Sequence, residues 1–472
     1  MAGFDKDVRI PAYQRHKASG KAVVKLNGRV HYLGKHGTDE SRDAYNRLIA
    51  EWLSTGKNLP PRGEAERKTL RVDDVVAMFW TWAEGYYVKD GAPTGELDSL
   101  RLAIKPLLRL YRSEFAEKFG PLALRAVQDE YVRLGWARTT VNQSMARVRR
   151  IFKWAVSREL VPAGTHHGLQ AVTGLRRGRS EAKETEPIGP VLEKDMHAVL
   201  PHVSRQVEAM IWLQWLTGMR PGEVVQMRAK DLDRSGAIWL YRPGHHKTEH
   251  HGIVREIAVG PHAQDILKPF LTLDPDRPLF SPQDAEEERN RERRAARKTP
   301  LWPSHAKRRR VRKHRADLRD TYDVQGYGRA IEYGIRCANA AMIRDAVADA
   351  VLPLLPEPVR EPLGAAFKKL RHDATSETVL AVVQEVMRIC DHVTLPGSIS
   401  TVEEAAEAAI KALRLVPSWR PNQLRHAAAT RIRKQFGIEA ARAVLGHQNV
   451  ATTEIYAEAD RVKSLEIAKV LG

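Results

Sequence analysis

The segment "LGHQNVATTEIY" places His447, Thr452, Thr453 and Tyr456 around an expected helix stop at Gly446. Glycine after an apolar run closes a helix, and a threonine caps the next, which sets the Tyr456 hydroxyl on that helix's first turn. A phenol held there can act as a nucleophile if nearby groups favour its anion, although a His and a Tyr at this spacing also serve packing. Arg220 lies in "TGMRPGE", where Gly218 ends one helix and Pro221 suits the first turn of another, so its guanidinium projects from a tight junction. Glu223, one turn on, either holds that guanidinium or favours the positive end of its helix. Arg425 lies in "RPNQLRHAAATRIRK", where Leu424, Ala427, Ala428 and Ile432 predict a helix with Asn422 and Arg425 on one side of its first turn. His426 is expected on a different face. Two planar guanidiniums match the non-bridging oxygens of a phosphate. Lys247, on a polar turn between the strand-like runs "AIWLY" and "VREIAVG", can protonate a leaving oxygen. His245, His246, His250 and His251 surround it, but their spacing fits no closed metal site, so no metal or other cofactor is expected.

The chain has 472 residues, more than one core is expected to hold, so several domains should share these groups. Lys and Arg outnumber Asp and Glu by 77 to 58, a net charge of +19 that attracts polyanions. A basic enzyme acting on something else is the competing class. Cys337 and Cys390 are too few for a disulfide scaffold. No apolar h-region or membrane-length run is present, which points to a cytoplasmic, nucleoid-associated protein.

Hydrophobic patterning predicts a multidomain, mainly α protein with small β-sheets. Residues 20–36 alternate about Asn27-Gly28, the pair that suits a two-residue hairpin, and Asp39 or Ser41 can cap the helix that follows. With Lys25 and Arg29 on the strands, residues 10–55 form either a DNA-reading ribbon module or a structural cap. Residues 73–170 read as a helical domain with four helices by residue 160. In the last of these, Arg147, Arg150 and Lys153 lie off the apolar face, as phosphate contacts or as a solvated surface. A Gly- and charge-rich linker precedes a domain over 190–472, in which "VEAMIWLQWLTG" should be a buried helix. Residues 289–319 carry fourteen Lys or Arg against two acids. The basic segment 285–320 is therefore expected to be disordered, or an arm against nucleic acid.

The set "TGMRPGE", Lys247 on a hairpin, "NQLRHAAAT" and "LGHQNVATTEIY", in that order, resembles the tyrosine recombinases of the phage integrase family over roughly residues 190–462. The resemblance implies an arm-site-binding module, a helical core-DNA-binding domain and a mixed α+β catalytic domain. It implies that Tyr456 attacks a DNA phosphodiester to form a 3′-phosphotyrosine link, without ATP or metal. Arg220 and Arg425 would stabilise the phosphorane, Lys247 would protonate the 5′ oxygen, His447 would bond the phosphate or the attacking oxygen, and Glu223 would support them. Double-stranded DNA at attachment sites, a homotetramer, and accessory DNA-bending or directionality proteins are the implied partners; no membrane is. The family usually has His where this chain has Asn422, an amide that hydrogen-bonds but does not exchange protons. Residues 340–416 are expected to be a helical insertion. Val462, Leu465, Ala468 and Leu471 form an apolar face that docks on a neighbouring protomer or folds back. A type IB topoisomerase and a catalytically silent DNA-binding protein are the rival expectations.

Overall fold

The computed structural model describes residues 10–54, 70–89, 91–244, 255–299, 319–370, 373–389 and 399–446. Lys247, its four histidine neighbours, His447, Tyr456, Cys390, the 462–472 tail and the basic 300–318 stretch lie outside the described residues. The chain divides into two units, residues 1–187 and 188–472.

The first unit opens with a three-stranded antiparallel sheet, β1 (Gln14–Arg15), β2 (Lys21–Leu26) and β3 (Arg29–Lys35), followed by α1 (Asp39–Ser54). Asn27 (φ +49°) and Gly28 (φ +81°) form the β2–β3 turn, as the Asn-Gly pair predicts, and Leu26 pairs with Arg29 across it. Val24 and Leu26 pack on Leu48, Ile49 and Trp52, while Lys25 and Arg29 stay exposed. The cap of α1 differs from expectation: the Thr38 hydroxyl accepts from the Ser41 N–H at 3.3 Å, so Thr38 closes the helix and Asp39 begins it.

A separate apolar core joins α2 (Val72–Tyr86), β4 (Val88–Lys89) with β5 (Ala92–Pro93), α3 (Gly95–Tyr111), α4 (Pro121–Arg133), α5 (Arg138–Ser157) and α6 (Ala163–Gln170). Its centre holds Phe79, Leu100, Leu107, Leu124, Tyr131 and Phe152, all fully buried. On α5, Val141, Met145, Val148 and Phe152 repeat at helical spacing and face this core, which turns Arg147, Arg150 and Lys153 away from it.

The second unit is built on α8 (Arg205–Thr217), preceded by α7 (Glu193–Val199). Val207, Met210, Ile211, Leu213 and Trp215 are buried, so α8 is wrapped on most sides, as its all-round apolar sequence requires. Around it lie α9 (Pro221–Val225), the antiparallel sheet β6 (Leu232–Asp233), β7 (Trp239–Tyr241) and β8 (Ile257–Val259), α10 (Pro261–Leu267), and α16 (Pro421–Leu445). Trp239 pairs with Val259 and Tyr241 with Ile257, and Lys247 falls between these two strands in sequence. Arg431 of α16 stacks its guanidinium 4.8 Å from the Trp215 ring centre and donates to the Trp215 carbonyl at 2.5 Å, fixing α16 against α8. At Gly437 the φ is +88°, and α16 is two helices meeting at that residue.

Two sequence expectations need correction here. The start of the charged block is not disordered, because α11 (Pro282–Ala295) continues through it: Ser281 caps the helix and Ala285 anchors it. The insertion has no break at residue 340, since α12 (Val324–Val351) is one 28-residue helix, about 42 Å long. Its first half gives Tyr327, Ile331 and Ile335 to the core around α8. Its second half gives Ile343, Val347 and Val351 to another core with α13 (Glu357–Lys369), α14 (Ser376–Ile389) and α15 (Ile399–Ala412). Where the chain returns, Asn339 donates to the Val416 carbonyl at 3.0 Å and accepts from the Val416 N–H at 2.8 Å.

Gly334 permits the close seating of α12, because a methyl group there would sit 2.6 Å from Val203 and 2.9 Å from Val199. Ala in a helix interior is worth about 0.5–1 kcal/mol over Gly, but overpacking costs about 1–3 kcal/mol. Gly334→Ala should therefore lower the denaturant midpoint of the chain, and an unchanged or raised midpoint would show that α12 is not tightly seated.

Candidate active site

The α8–α9 junction is locked by its own polar atoms. Gly218 takes the left-handed conformation (φ +68°) and its N–H donates to the Gln214 carbonyl at 2.9 Å, ending α8. The Gln214 amide donates to the Met219 carbonyl at 2.9 Å, and the Met219 N–H donates to the Thr217 hydroxyl at 3.3 Å. Arg220 follows as the N-cap of α9, with Pro221 in the first turn. Both roles open to Glu223 are filled: its carboxylate accepts from the Arg220 N–H at 2.7 Å and from Arg220 Nη1 at 2.8 Å. Glu223 is 2% exposed and the Arg220 side chain 22% exposed, so a buried anion orients a partly open cation.

Arg425 comes to the same junction from α16. Its Nη1 donates to the Gly218 carbonyl and its Nη2 to the Leu445 carbonyl, each at 2.7 Å, and the residue is 3% exposed. Both carbonyls belong to helix C-terminal ends, where the backbone dipole is negative and a cation is favoured. Asn422, three residues before Arg425 on the same helix, is exposed while Arg425 is buried. The Asn422 amide nitrogen instead lies 3.1 Å from His426 Nε2, one helical turn on. His426 is therefore on the face of Asn422, contrary to the expectation of a different face, as i and i+4 positions on a helix must be. Burial, with Arg425 adding in the same direction, pushes the His426 imidazole below its ordinary 6.5.

Sequence reasoning missed Arg255. It stands two residues before β8, 7% exposed, with Nη1 donating to the Val444 carbonyl at 3.2 Å and Nε 3.6 Å from Glu223 Oε1. Among the described residues its Nε and Nη2 make no hydrogen bond within ordinary distance, Glu223 being the nearest acceptor to Nε. Burial pushes this guanidinium below its usual range, Glu223 pulls it back up, and Arg220 pushes it down again. A signal was present: Arg255, Ile257 and Val259 are buried while Glu256 and Ala258 are exposed, and this alternation puts residue 255 on the inward face of the strand.

The junction thus gathers Arg220, Glu223, Arg255 and Arg425, and ties them to the end of α16 just before His447. Two guanidiniums face one carboxylate and a third, Arg425, is held by carbonyls, an excess of positive charge suited to an anion such as a phosphate. In the first unit, Arg147 makes two bonds to Glu96 at 3.0 and 2.9 Å, and Arg150 reaches Glu96 at 2.8 Å and the Tyr87 hydroxyl at 3.0 Å. Burial raises the Glu96 pKa, but these two arginines outweigh it and hold the carboxyl below its usual value. Lys153 is exposed on the same helix. Among the described residues no helix is long and apolar enough to cross a membrane.

The profile of the Phage integrase family matches residues 361–462. Over 164 residues the chain is 27% identical to the tyrosine recombinase XerC of Yersinia pestis; the match covers 34% of this chain and 49% of XerC, about half that relative's length. Solved structures similar to the chain include a lambda integrase dimer bound to a COC′ core site, at 12% identity and a TM-score of 0.41 over 96% of each chain. The Tn1549 transposon integrase in complex with a circular intermediate DNA matches at 12% identity and a TM-score of 0.47, over 85% of this chain and 100% of that one.

Replacing Arg425 by Gln should cost about 1–3 kcal/mol for each orphaned carbonyl, read as a lower urea midpoint at unchanged slope; a shift inside error would mean the clamp carries no stability. His426 generates a pH dependence. Its folded pKa is depressed, so as pH falls through 6.5 the unfolded chain takes up a proton that the folded chain does not, and stability declines until the folded pKa is passed. Unfolding curves measured from about pH 7.5 to 5 should show a shallower decline for His426→Gln than for the parent chain, and equal slopes would exclude a depressed His426.

Proposed function

Since this chain belongs to the phage integrase family, we propose that it is a site-specific DNA recombinase that cuts and rejoins strands through a 3′-phosphotyrosine intermediate. One observation supports this above others: residues from two distant motifs, Arg220 with Glu223 and Arg425 from α16, meet at a single helix junction. A phosphodiester bound there accepts hydrogen bonds from guanidinium forks, whose charge stabilises the extra negative charge of a pentacoordinate phosphorus.

In the proposed reaction the Tyr456 oxygen, its phenolic proton given up to solvent, attacks phosphorus, the bond to the 5′ oxygen breaks, and Lys247 supplies the proton that oxygen needs to leave as a hydroxyl. The phosphotyrosine ester conserves the bond, so a 5′-hydroxyl from another strand reverses the step without ATP. His447 hydrogen-bonds the phosphate or the attacking oxygen. Asn422, exposed beside the junction, contributes a hydrogen bond and no proton exchange. The sheet and helix of residues 10–55 and the helical domain of residues 73–170, with Lys25, Arg29, Arg147, Arg150 and Lys153, are proposed to hold duplex DNA at attachment sites. Integration or excision of a phage or other mobile element by four copies on two duplexes, helped by DNA-bending or directionality proteins, completes the proposal. Such a protein works in the cytoplasm on the nucleoid.

A nicked suicide duplex carrying the junction of the element that encodes the chain should trap a covalent protein–DNA adduct on denaturing gels. Tyr456→Phe should lose the adduct entirely and keep duplex binding within a few-fold; an adduct that survives this change would identify a different nucleophile. Strand exchange between two duplexes then distinguishes a recombinase from a topoisomerase.

A further inference from the structure

The second unit holds a cleft of about 600 Å³ between α11, α12 and the start of α8, and none of the junction residues lines it. Four exposed guanidiniums from three elements meet there: Arg205 of α8, Arg289 and Arg293 of α11, and Arg329 of α12. Two carboxylates, Glu288 and Glu292, share the wall, so positive charge is in excess. Glu288 is already engaged, since Arg205 Nε lies 3.1 Å from one oxygen and the Gln206 amide donates to the other at 3.1 Å. Arg289 reaches Glu286, one turn back on its own helix, at 3.4 Å. Arg293 and Arg329 make no ion pair with a described residue. Like charges brought together from distant segments repel each other and add nothing to stability, so the arrangement suits an anion that comes from outside.

A lone phosphate would fill a small part of this volume, which lies in the range of about 300–1,000 Å³ that small organic ligands occupy. The α12 wall is aromatic. Tyr333 lines the cleft and is 43% exposed, its hydroxyl bonded to the Cys337 thiol one turn on and the Arg336 guanidinium 5.5 Å from its ring centre. The bond at the hydroxyl fixes the ring, and a cation over one face of an aromatic ring leaves the opposite face for stacking. Arg205 is fixed in a similar way, its guanidinium 5.0 Å from the Phe270 ring centre. A held ring beside guanidiniums matches an unpaired base and its phosphate. An acidic peptide would use the arginines and leave the tyrosine without a role.

We propose that this cleft binds a nucleotide unit, with the phosphate on Arg293 and Arg329 and the base against Tyr333. The nucleotide is either free in solution or an unpaired residue of a DNA strand, because both present the same phosphate and base. No bond is made or broken in this site, which is separate from the junction of Arg220 and Arg425.

Titration calorimetry on the full chain at low salt tests the site, with dATP, a short oligodeoxyadenylate and inorganic tripolyphosphate as probes. Arg293→Gln combined with Arg329→Gln should weaken all three about 10-fold or more, as loss of charge-assisted hydrogen bonds does. Tyr333→Ala should weaken dATP and the oligonucleotide about 5- to 150-fold, the range for removing a base-stacking ring, and leave tripolyphosphate unchanged. Arg220→Gln should leave dATP affinity within error. Tighter binding of dATP than of the oligonucleotide would assign the free nucleotide, and an oligonucleotide that binds more tightly and displaces dATP would assign the unpaired strand. Unchanged dATP affinity in the arginine variant, or in Tyr333→Ala, would overturn the proposal, as would a polyglutamate peptide that binds more tightly than either nucleotide. Arg293, Arg329 and Tyr333 take no part in the proposed cleavage. A parent chain that forms no adduct on the suicide duplex would therefore remove the recombinase reading and leave the nucleotide site standing.

Discussion

The second unit depends on a buried cation placed where two helices end. Arg425, 3% exposed, would be costly in an apolar interior, yet its two donors close on the carbonyls of Gly218 and Leu445. Those carbonyls lack intrahelical partners because the chain leaves each helix through a left-handed glycine, Gly218 at φ +68° and Gly446 at φ +67°. Each helix thus offers the negative end of its dipole to the same guanidinium. The fit is close enough that a methyl group on Gly218 would come 2.9 Å from the Leu445 side chain. One side chain therefore sets the distance between the junction that carries Arg220 and the segment that leads to His447.

The charges around this clamp do not balance. Glu223 accepts from Arg220 and faces Arg255, while Arg425 is matched by carbonyl dipoles rather than by an anion. Arg255 carries the imbalance most directly, since among the described residues two of its buried donors make no hydrogen bond. Stability alone would favour a second carboxylate here, or an apolar residue in place of Arg255. An unfilled positive site makes sense if the missing negative charge arrives with a ligand, so that binding energy is realised at the phosphate rather than within the protein. The basic character of the whole chain, +19, would draw a polyanion toward these few donors.

What the sequence revealed followed from how local each cause was. Gly218 and Pro221 bracket Arg220 within four residues, so the junction could be read from punctuation alone. The Asn27-Gly28 turn and the buried α8 were legible for the same reason. Arg255 was not, because a charge just before a strand looks solvated until the alternation through Ile257 and Val259 is followed back to it. The relation of Asn422 to His426 went wrong because their spacing of four residues, about one helical turn, was not applied to His426. Arg147 and Arg150 show another limit: both leave the core face of α5 as patterning requires, yet Glu96, distant in sequence, takes them as internal partners.

Residues 340–416 obey a different electrostatic rule from the rest. They carry 8 Lys or Arg against 11 Asp or Glu in a chain that is otherwise strongly basic, so a polyphosphate surface repels this segment where it attracts its surroundings. Yet the segment is not a loose appendage. It has its own apolar core, begins as the second half of α12, and is closed at its neck by the paired Asn339 and Val416. Just beyond the last insertion helix, Arg414 grips the buried Asp195 of α7 with two bonds, at 2.7 and 3.1 Å. A helix continuous through two cores transmits orientation with little bending, because bending it would break backbone hydrogen bonds on one side. Any force on the insertion would therefore be felt at Tyr327 and Ile331, where α12 enters the core around α8, and through that core at the junction that holds Arg220.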